Sequence, residues 1–192
     1  MDFDLTDEPE LIRATAREFA DREIFPRAKE NARNEHFDLE LVAMLAEQGY
    51  LGAIVPREYG GAGLDHVTYA LVVEEIGRGD SAMRTVVSVQ TSLVCSALLR
   101  WGTEEQKQHY LPKMATGEIR AALAMSEPEA GSDVQAIRTK AIRDGDDYVV
   151  NGQKMWLTNG LRSGIVMTLV KTQPDADPPH KGMSMLIVDK TP

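Results

Sequence analysis

Cysteine occurs once in the 192 residues, at Cys95, so no disulfide can form within the chain, and the usage suits a reducing compartment. Cys95 stands in an apolar run and reads as buried filler. Aromatic residues make up only 6% of the chain, which leaves the core to aliphatic side chains. The four histidines, His36, His66, His109 and His180, are scattered with no partner at ligand spacing, so no metal site is expected. Positive charge is in deficit. Lys and Arg total 21 against 30 Asp and Glu, a net charge of −9, which argues against a sequence-independent grip on nucleic acid. No apolar run reads as approaching the ~18 residues of a membrane span. The opening MDFDLTDEPE is acidic where a signal peptide would be basic and then apolar. The expectation is a soluble cytoplasmic protein. The sequence also contains neither a Gly-x-Ser-x-Gly elbow nor a phosphate loop ending in Gly-Lys-Ser/Thr. EYGGAGLD is glycine-rich but follows no strand, so it does not read as a dinucleotide fingerprint.

What is present divides into two kinds of pattern. Up to about residue 117 the apolar spacing is helical. Thr6-Asp7 reads as a cap, with Glu8, Pro9 and Glu10 suited to a first turn. Ile12, Ala16 and Phe19 then form a stripe that Ile24 extends. DLELVAMLAEQGYLG predicts a helix capped by Asp38, with Leu41, Leu45 and Ala46 inward and Gly49 as its stop. HVTYALVVEEIGRGD predicts another. VVSVQTSLVCSALLRWG is apolar nearly all round and belongs in the middle of a bundle. Thr103 and Gln106 stand in capping-box spacing at the start of a last helix. After Gly117 the pattern alternates, and EIRAALAMS, TKAIRDGDDYVVNGQKMWLTN, SGIVMTLVKT and GMSMLIVDK read as strands. Asp144-Gly145-Asp146-Asp147 and Asn151-Gly152 mark hairpin turns. The expected class is therefore α+β. An all-helical bundle over 1–117 precedes an antiparallel, barrel-like β domain over 118–192. Four or five strands are few for such a domain, so the chain is expected to be the front part of a longer polypeptide.

Candidate chemistry gathers where strands end. Ser126 places a hydroxyl where the strand through Leu123 and Met125 opens into the loop EPEAGSD. Gly131-Ser132 offers close backbone approach and a second hydroxyl. Trp156 and Thr158, two apart, would share one face of a strand. An indole and a hydroxyl so placed suit a flat aromatic ligand with polar edges. Core or cross-strand packing for Trp156 and a plain turn hydroxyl for Ser126 remain open on spacing alone.

Two stretches, AMSEPEAGSDV and NGQKMWLTNG, resemble the signature segments of the acyl-CoA dehydrogenases. GYLGAIVPREYGGAGLD and WGTEEQKQHYLPKMATGE resemble that family's helical amino-terminal region, and the likeness covers essentially the whole chain. The resemblance implies a third, carboxy-terminal helical domain, which this sequence does not contain. It implies FAD as cofactor, an acyl-CoA substrate, an electron-transfer flavoprotein as acceptor and a homo-oligomer, usually a tetramer. By position, Leu123, Met125 and Ser126 would line the flavin ring. Trp156 and Thr158 would lie on its other side, and Gly131 and Ser132 where pantetheine and flavin meet. The family's glutamate base belongs to the third domain. No residue here takes that role, Glu127 and Glu129 included, and the chain alone is expected to be inactive.

DSAMRTVVSVQTSLV looks most like the glutaryl-CoA dehydrogenase branch. There, residues at the positions of Arg84 and Ser88 hold a distal carboxylate. Their spacing of four puts them on one helix face, and a carboxylate would form a charge-assisted pair with the arginine. The bland alternative pairs Arg84 with Asp80 or Glu75. A short-chain enzyme for butyryl-type thioesters, and a non-catalytic module derived from a dehydrogenase front half, are the competing readings.

Overall fold

A computed structural model describes residues 4–190; Met1, Asp2, Phe3, Thr191 and Pro192, on which the readings of the two ends partly rest, lie outside the described residues. Contacts within the chain divide it between Ile119 and Arg120 into two compact units.

The first unit is helical. Helix α1 (Asp7–Phe19) runs through a π-helical turn (Ala20–Ile24) into α2 (Phe25–Arg33). Thr6 holds the cap position of α1 with extended backbone but donates and accepts nothing there with its side chain. Helix α3 (Leu39–Glu47) is capped as expected, because the Asp38 carboxylate accepts from Leu41 N at 3.1 Å. Gly49, at φ 77°, ends it in the left-handed region that favours glycine. Helix α4 (His66–Gly79) begins at Asp65, whose carboxylate accepts from Val67 N and Thr68 N. Helix α5 (Ser81–Ser88) continues through a second π-helical stretch (Val89–Cys95) into α6 (Ser96–Trp101). Helix α7 (Glu104–Ala115) opens with the complete Thr103–Gln106 capping box. Ile24, Leu41, Leu45, Leu51, Ile76, Leu98, Leu111 and Met114 are buried completely or nearly so. Each contributes about 1.5–3 kcal/mol of apolar burial.

One expectation about the chain's apolar content is corrected. The helical run Ser81–Trp101, 21 residues with a mean hydropathy of 1.4, is long and apolar enough to cross a membrane by length and composition. Its buried side chains, Val86, Val87, Val94, Cys95 and Leu98 among them, make it the core helix of this unit. The sequence reading placed VVSVQTSLVCSALLRWG in the middle of a bundle but did not join it to the preceding turn from Ser81, and so missed the length of the helix. Its buried polar side chains are satisfied within the unit. Gln90 Nε2 donates to Met114 O and Ile119 O at 3.0 and 2.8 Å, and Thr91 Oγ1 to Tyr50 O and Leu51 O at 3.1 and 3.0 Å.

The second unit is an open sheet of five strands: β1 (Ala121–Ala124), β2 (Lys140–Asp144), β3 (Asp147–Asn151), β4 (Ile165–Lys171) and β5 (Met183–Asp189). Gly145, at φ 62°, makes the β2–β3 hairpin turn as expected. The sheet is mixed rather than wholly antiparallel. β4 pairs antiparallel with β5, but β1 lies parallel to β4, Ala121 opposite Ile165 and Ala124 opposite Thr168, and β2 meets β4 in parallel at Lys140 and Lys171. A parallel pair needs a long crossover rather than a hairpin, and residues 125–164 supply one between β1 and β4. No strand forms in 152–164. Asn151-Gly152 is not a hairpin turn. A side chain at Gly152 would run into Thr139, so glycine serves there as a point of close approach.

Candidate functional site

In the β unit, the two segments singled out in sequence lie against each other at the carboxy-terminal end of β1. Leu123 is on β1, half-buried, on the face opposite Ala122 and Ala124. Met125 and Ser126 follow at once, and their carbonyls face the second segment: Lys154 Nζ donates to Met125 O, and Met155 N to Ser126 O, both at 3.0 Å. The strand end that carries Ser126 is thereby fixed to the segment that carries Trp156 and Thr158.

A residue pair that sequence reasoning did not single out locks this junction. Glu127 is 8% exposed. Its Oε1 accepts from Lys154 Nζ at 2.8 Å, Thr139 N at 3.0 Å and Thr139 Oγ1 at 2.5 Å, and its Oε2 from Arg138 N at 2.6 Å. Burial by itself would raise the carboxyl's pKa. The hydrogen bonds from Lys154, Thr139 and the two backbone amides outweigh it and hold the pKa down at about 2. Glu127 is thus ionised, and both of its oxygens are engaged within the loop. Glu129 pairs with Arg138 at the surface. The signal for the lock was present in sequence: Glu127 directly follows Ser126, and Lys154 stands two residues before Trp156.

Trp156 and Thr158 do not share a strand face, because their segment is not a strand. Trp156 has φ 62° and Asn159 φ 64°. For a bulky residue the left-handed region is strained and persists only where its surroundings impose it. The imposed geometry leaves Trp156 85% exposed, so core packing, one of the two readings left open, is excluded. Asn159, also unremarked in sequence, ties the loop back to β1 by donating from Nδ2 to Ala121 O at 3.2 Å. The hydroxyls of Ser126, Ser132 and Thr158 make no hydrogen bond to another described residue. Gly131 is open, with nothing near its missing side chain. A shallow cavity of about 250 Å³ lined by Glu127, Pro128, Glu129, Arg138, Thr139, Gly152 and Gln153 lies beside the lock. No group of acidic, histidine or cysteine side chains able to hold a metal occurs among the described residues.

In the helical unit, Arg84 and Ser88 both lie on α5, partly buried and one turn apart. Neither carboxylate proposed as a partner for Arg84 takes that role. Glu75 is held by Arg17 at 2.6 Å, Arg78 at 3.0 Å and Arg13 at 3.4 Å. Asp80 spends an oxygen on Ala82 N as the cap of α5. Arg84 Nη2 donates to the neutral Ser81 hydroxyl at 3.2 Å, and Arg84 forms no ion pair with a described carboxylate. Ser88 Oγ donates to Thr85 O at 3.2 Å.

Comparison with known proteins bears on both units. The pattern described as acyl-CoA dehydrogenase, N-terminal domain, matches residues 6–118, and that of the middle domain matches residues 122–192. The short-chain specific acyl-CoA dehydrogenase of Clostridium acetobutylicum is 41% identical over 191 residues, covering 99% of this chain and 50% of that protein. A glutaryl-CoA dehydrogenase solved with glutaryl-CoA superposes with a TM-score of 0.93 at 32% identity, covering 98% of this chain and 48% of that one. A Mycobacterium smegmatis glutaryl-CoA dehydrogenase solved with FADH2 gives 0.89 at 34% identity, over 96% and 46%. The chain spans about half the length of the curated relatives it matches. With both units matched in order, the chain belongs to the acyl-CoA dehydrogenase family.

Proposed function

We propose that this chain supplies the flavin-facing strand end and the acyl-tail helix of an FAD-dependent acyl-CoA dehydrogenase acting on short or dicarboxylyl thioesters such as glutaryl-CoA. The observation that carries the flavin reading is Trp156, an indole held out at 85% exposure by a left-handed backbone. An aromatic face kept in water against both the hydrophobic effect and backbone strain suits stacking on a planar ligand. FADH2 in the solved Mycobacterium smegmatis relative points the same way.

The bound flavin would supply the hydride acceptor, at N5, for the acyl β-carbon. The chain's own residues bind and orient. Leu123 and the Met125 backbone pack at the ring. Ser126 and Thr158 donate hydroxyls to its edge, where negative charge gathers on reduction. Gly131 admits the thioester chain closely and Ser132 gives it a hydroxyl. Glu127 and Lys154 hold these groups in register without touching the ligand. Removal of the α-proton is left to a base outside these residues, so the 192-residue chain by itself should show no turnover. An electron-transfer flavoprotein as acceptor and a homo-oligomeric assembly complete the proposal.

The dicarboxylyl preference is supported by Arg84, a half-buried residue whose guanidinium donates to the neutral Ser81 hydroxyl and pairs with no described carboxylate. A distal substrate carboxylate would complete a charge-assisted pair there, with Ser88 beside it. The test is the visible spectrum of the protein, in the length its gene encodes, before and after adding glutaryl-CoA or butyryl-CoA. Flavin absorbance that bleaches with glutaryl-CoA alone supports the whole reading. Bleaching with butyryl-CoA alone keeps the dehydrogenase and removes the role of Arg84. A colourless protein overturns the flavin assignment.

A further inference from the structure

Helices α4 and α5 pack as a hairpin through Gly77, where an added Cβ would stand 3.2 Å from Arg84 Cγ. From that contact the two facing stripes run in opposite directions at steps of four, Gly77, Val73 and Tyr69 on α4, and Arg84, Ser88 and Ser92 on α5 and its continuation. The α5 stripe is polar throughout. Ser92 Oγ donates to Ser88 O at 2.6 Å and keeps its own lone pairs to accept with.

Tyr69, at the far end of the α4 stripe, is 9% exposed. Its hydroxyl is buried and makes no hydrogen bond within the described structure. A buried hydroxyl without a partner costs about 1–3 kcal/mol, so its presence calls for a functional or solvent partner to explain it. Burial raises the phenol's pKa, the Ser92 hydroxyl and, more weakly, the Arg84 charge lower it, and Cys95 adds to the rise; Ser92 thus stands close enough to compete for the phenol although their geometry falls short of a hydrogen bond.

We propose that Tyr69 is a specificity-determining residue whose phenolic O–H donates to a carboxylate oxygen of an anionic acyl tail lying along Arg84, Ser88 and Ser92. The inference rests on the reading of Arg84 and Ser88 given above and deepens it. The same stripe makes an uncharged tail a poorer occupant. A methyl end would leave the guanidinium without a counter-charge and the phenol without an acceptor, and a site built to pair polar groups discriminates strongly against a ligand that lacks them.

The test measures the affinity of the flavin-loaded, full gene-length protein for glutaryl-CoA and butyryl-CoA by equilibrium titration, in wild type, Tyr69→Phe and Arg84→Leu. Loss of one hydrogen bond to a charged group predicts about a tenfold or greater weakening for glutaryl-CoA in Tyr69→Phe. Butyryl-CoA affinity and flavin content should stay as in wild type, and the ligand-free thermal midpoint should hold or rise, because the substitution removes an unpartnered buried hydroxyl. If Arg84→Leu is selective against glutaryl-CoA while Tyr69→Phe changes neither ligand, the role of Tyr69 is overturned and that of Arg84 stands; the phenol is then satisfied by solvent. If Tyr69→Phe weakens both thioesters alike, or sheds flavin, the residue is structural and the inference fails. If Arg84→Leu discriminates between neither ligand, the dicarboxylyl reading falls and takes this inference with it.

Discussion

Each unit contains one buried glutamate whose pKa is held at about 2, and the two are held by different means. Glu75, in the helical unit, is 1% exposed and is gripped by the guanidinium groups of Arg17, Arg78 and Arg13, whose side chains are 52%, 42% and 32% exposed. Glu127, in the β unit, has one cation, Lys154, itself only 9% exposed, and takes its other hydrogen bonds from Thr139 and two backbone amides. The first arrangement joins helices: α1 and α4 meet through charges that water still reaches. The second shapes a loop, because the donors are the backbone itself. A carboxylate of the first kind is a brace, and neighbours can share its loss. One of the second kind defines where the chain goes, so its loss should be felt at the candidate site.

Removing the cation on the β side gives the largest expected effect. Lys154→Met leaves Glu127 buried and uncompensated, and breaking such a pair costs about 3–5 kcal/mol. The amides of Arg138 and Thr139 should lose hydrogen-exchange protection, and the ratio of bound flavin to protein should fall. Retained protection and retained flavin would show that the lock is dispensable. Glu75→Gln should cost less, about 1–3 kcal/mol by chemical unfolding, because the arginines can turn to water, and flavin content should not change. An equal effect on flavin from both substitutions would erase the distinction between brace and lock.

Acid probes both sites together. Each carboxyl falls from an ordinary 4.5 to about 2 on folding, so its contribution is fully present above 4.5 and is lost as pH drops towards 2. Stability should therefore decline across that interval. Glu127→Gln should flatten the decline for the protection of Arg138 and Thr139 alone. Salt gives the smallest effect and the sharpest contrast. Raising ionic strength to about 1 M shortens the screening length to about 3 Å. It should weaken the exposed arginine grip on Glu75 by a few tenths of a kcal/mol and leave exchange at Arg138 and Thr139 unmoved.

The same contrast explains what could be read from sequence. Features set by neighbours along the chain were legible: the Asp38 cap, the Gly49 stop, the Thr103–Gln106 box and the Gly145 turn. Features set by distant partners were not. Met155-Trp156-Leu157-Thr158 alternates like a strand. Its conformation is fixed instead by Met155 N to Ser126 O, Lys154 to Glu127 and Asn159 to Ala121 O, 29, 27 and 38 residues away or thereabouts. The parallel seating of β1 on β4 was hidden for the same reason. The π-helical stretches at Ala20–Ile24 and Val89–Cys95 add a residue to a turn without any residue type that announces it. At the candidate site, the residue types came through in the resemblance, but the lock that positions them emerged only in three dimensions. Spacing alone likewise could not say that Glu75 would be lost to Arg84, because two of the three arginines that hold it, Arg13 and Arg17, lie on α1.

Gln90 shows how two backbone carbonyls can narrow a sequence choice. Its amide nitrogen has two hydrogens, and the carbonyls of Met114 and Ile119 receive hydrogen bonds from it. Among the twenty side chains only asparagine offers the same neutral NH2, and it is one methylene short. Glutamate would present oxygens to oxygens, and lysine would carry a charge into a fully buried position. In a survey of tolerated substitutions, position 90 should therefore be as intolerant as a residue that binds substrate, because its two hydrogen bonds fasten the end of the helical unit.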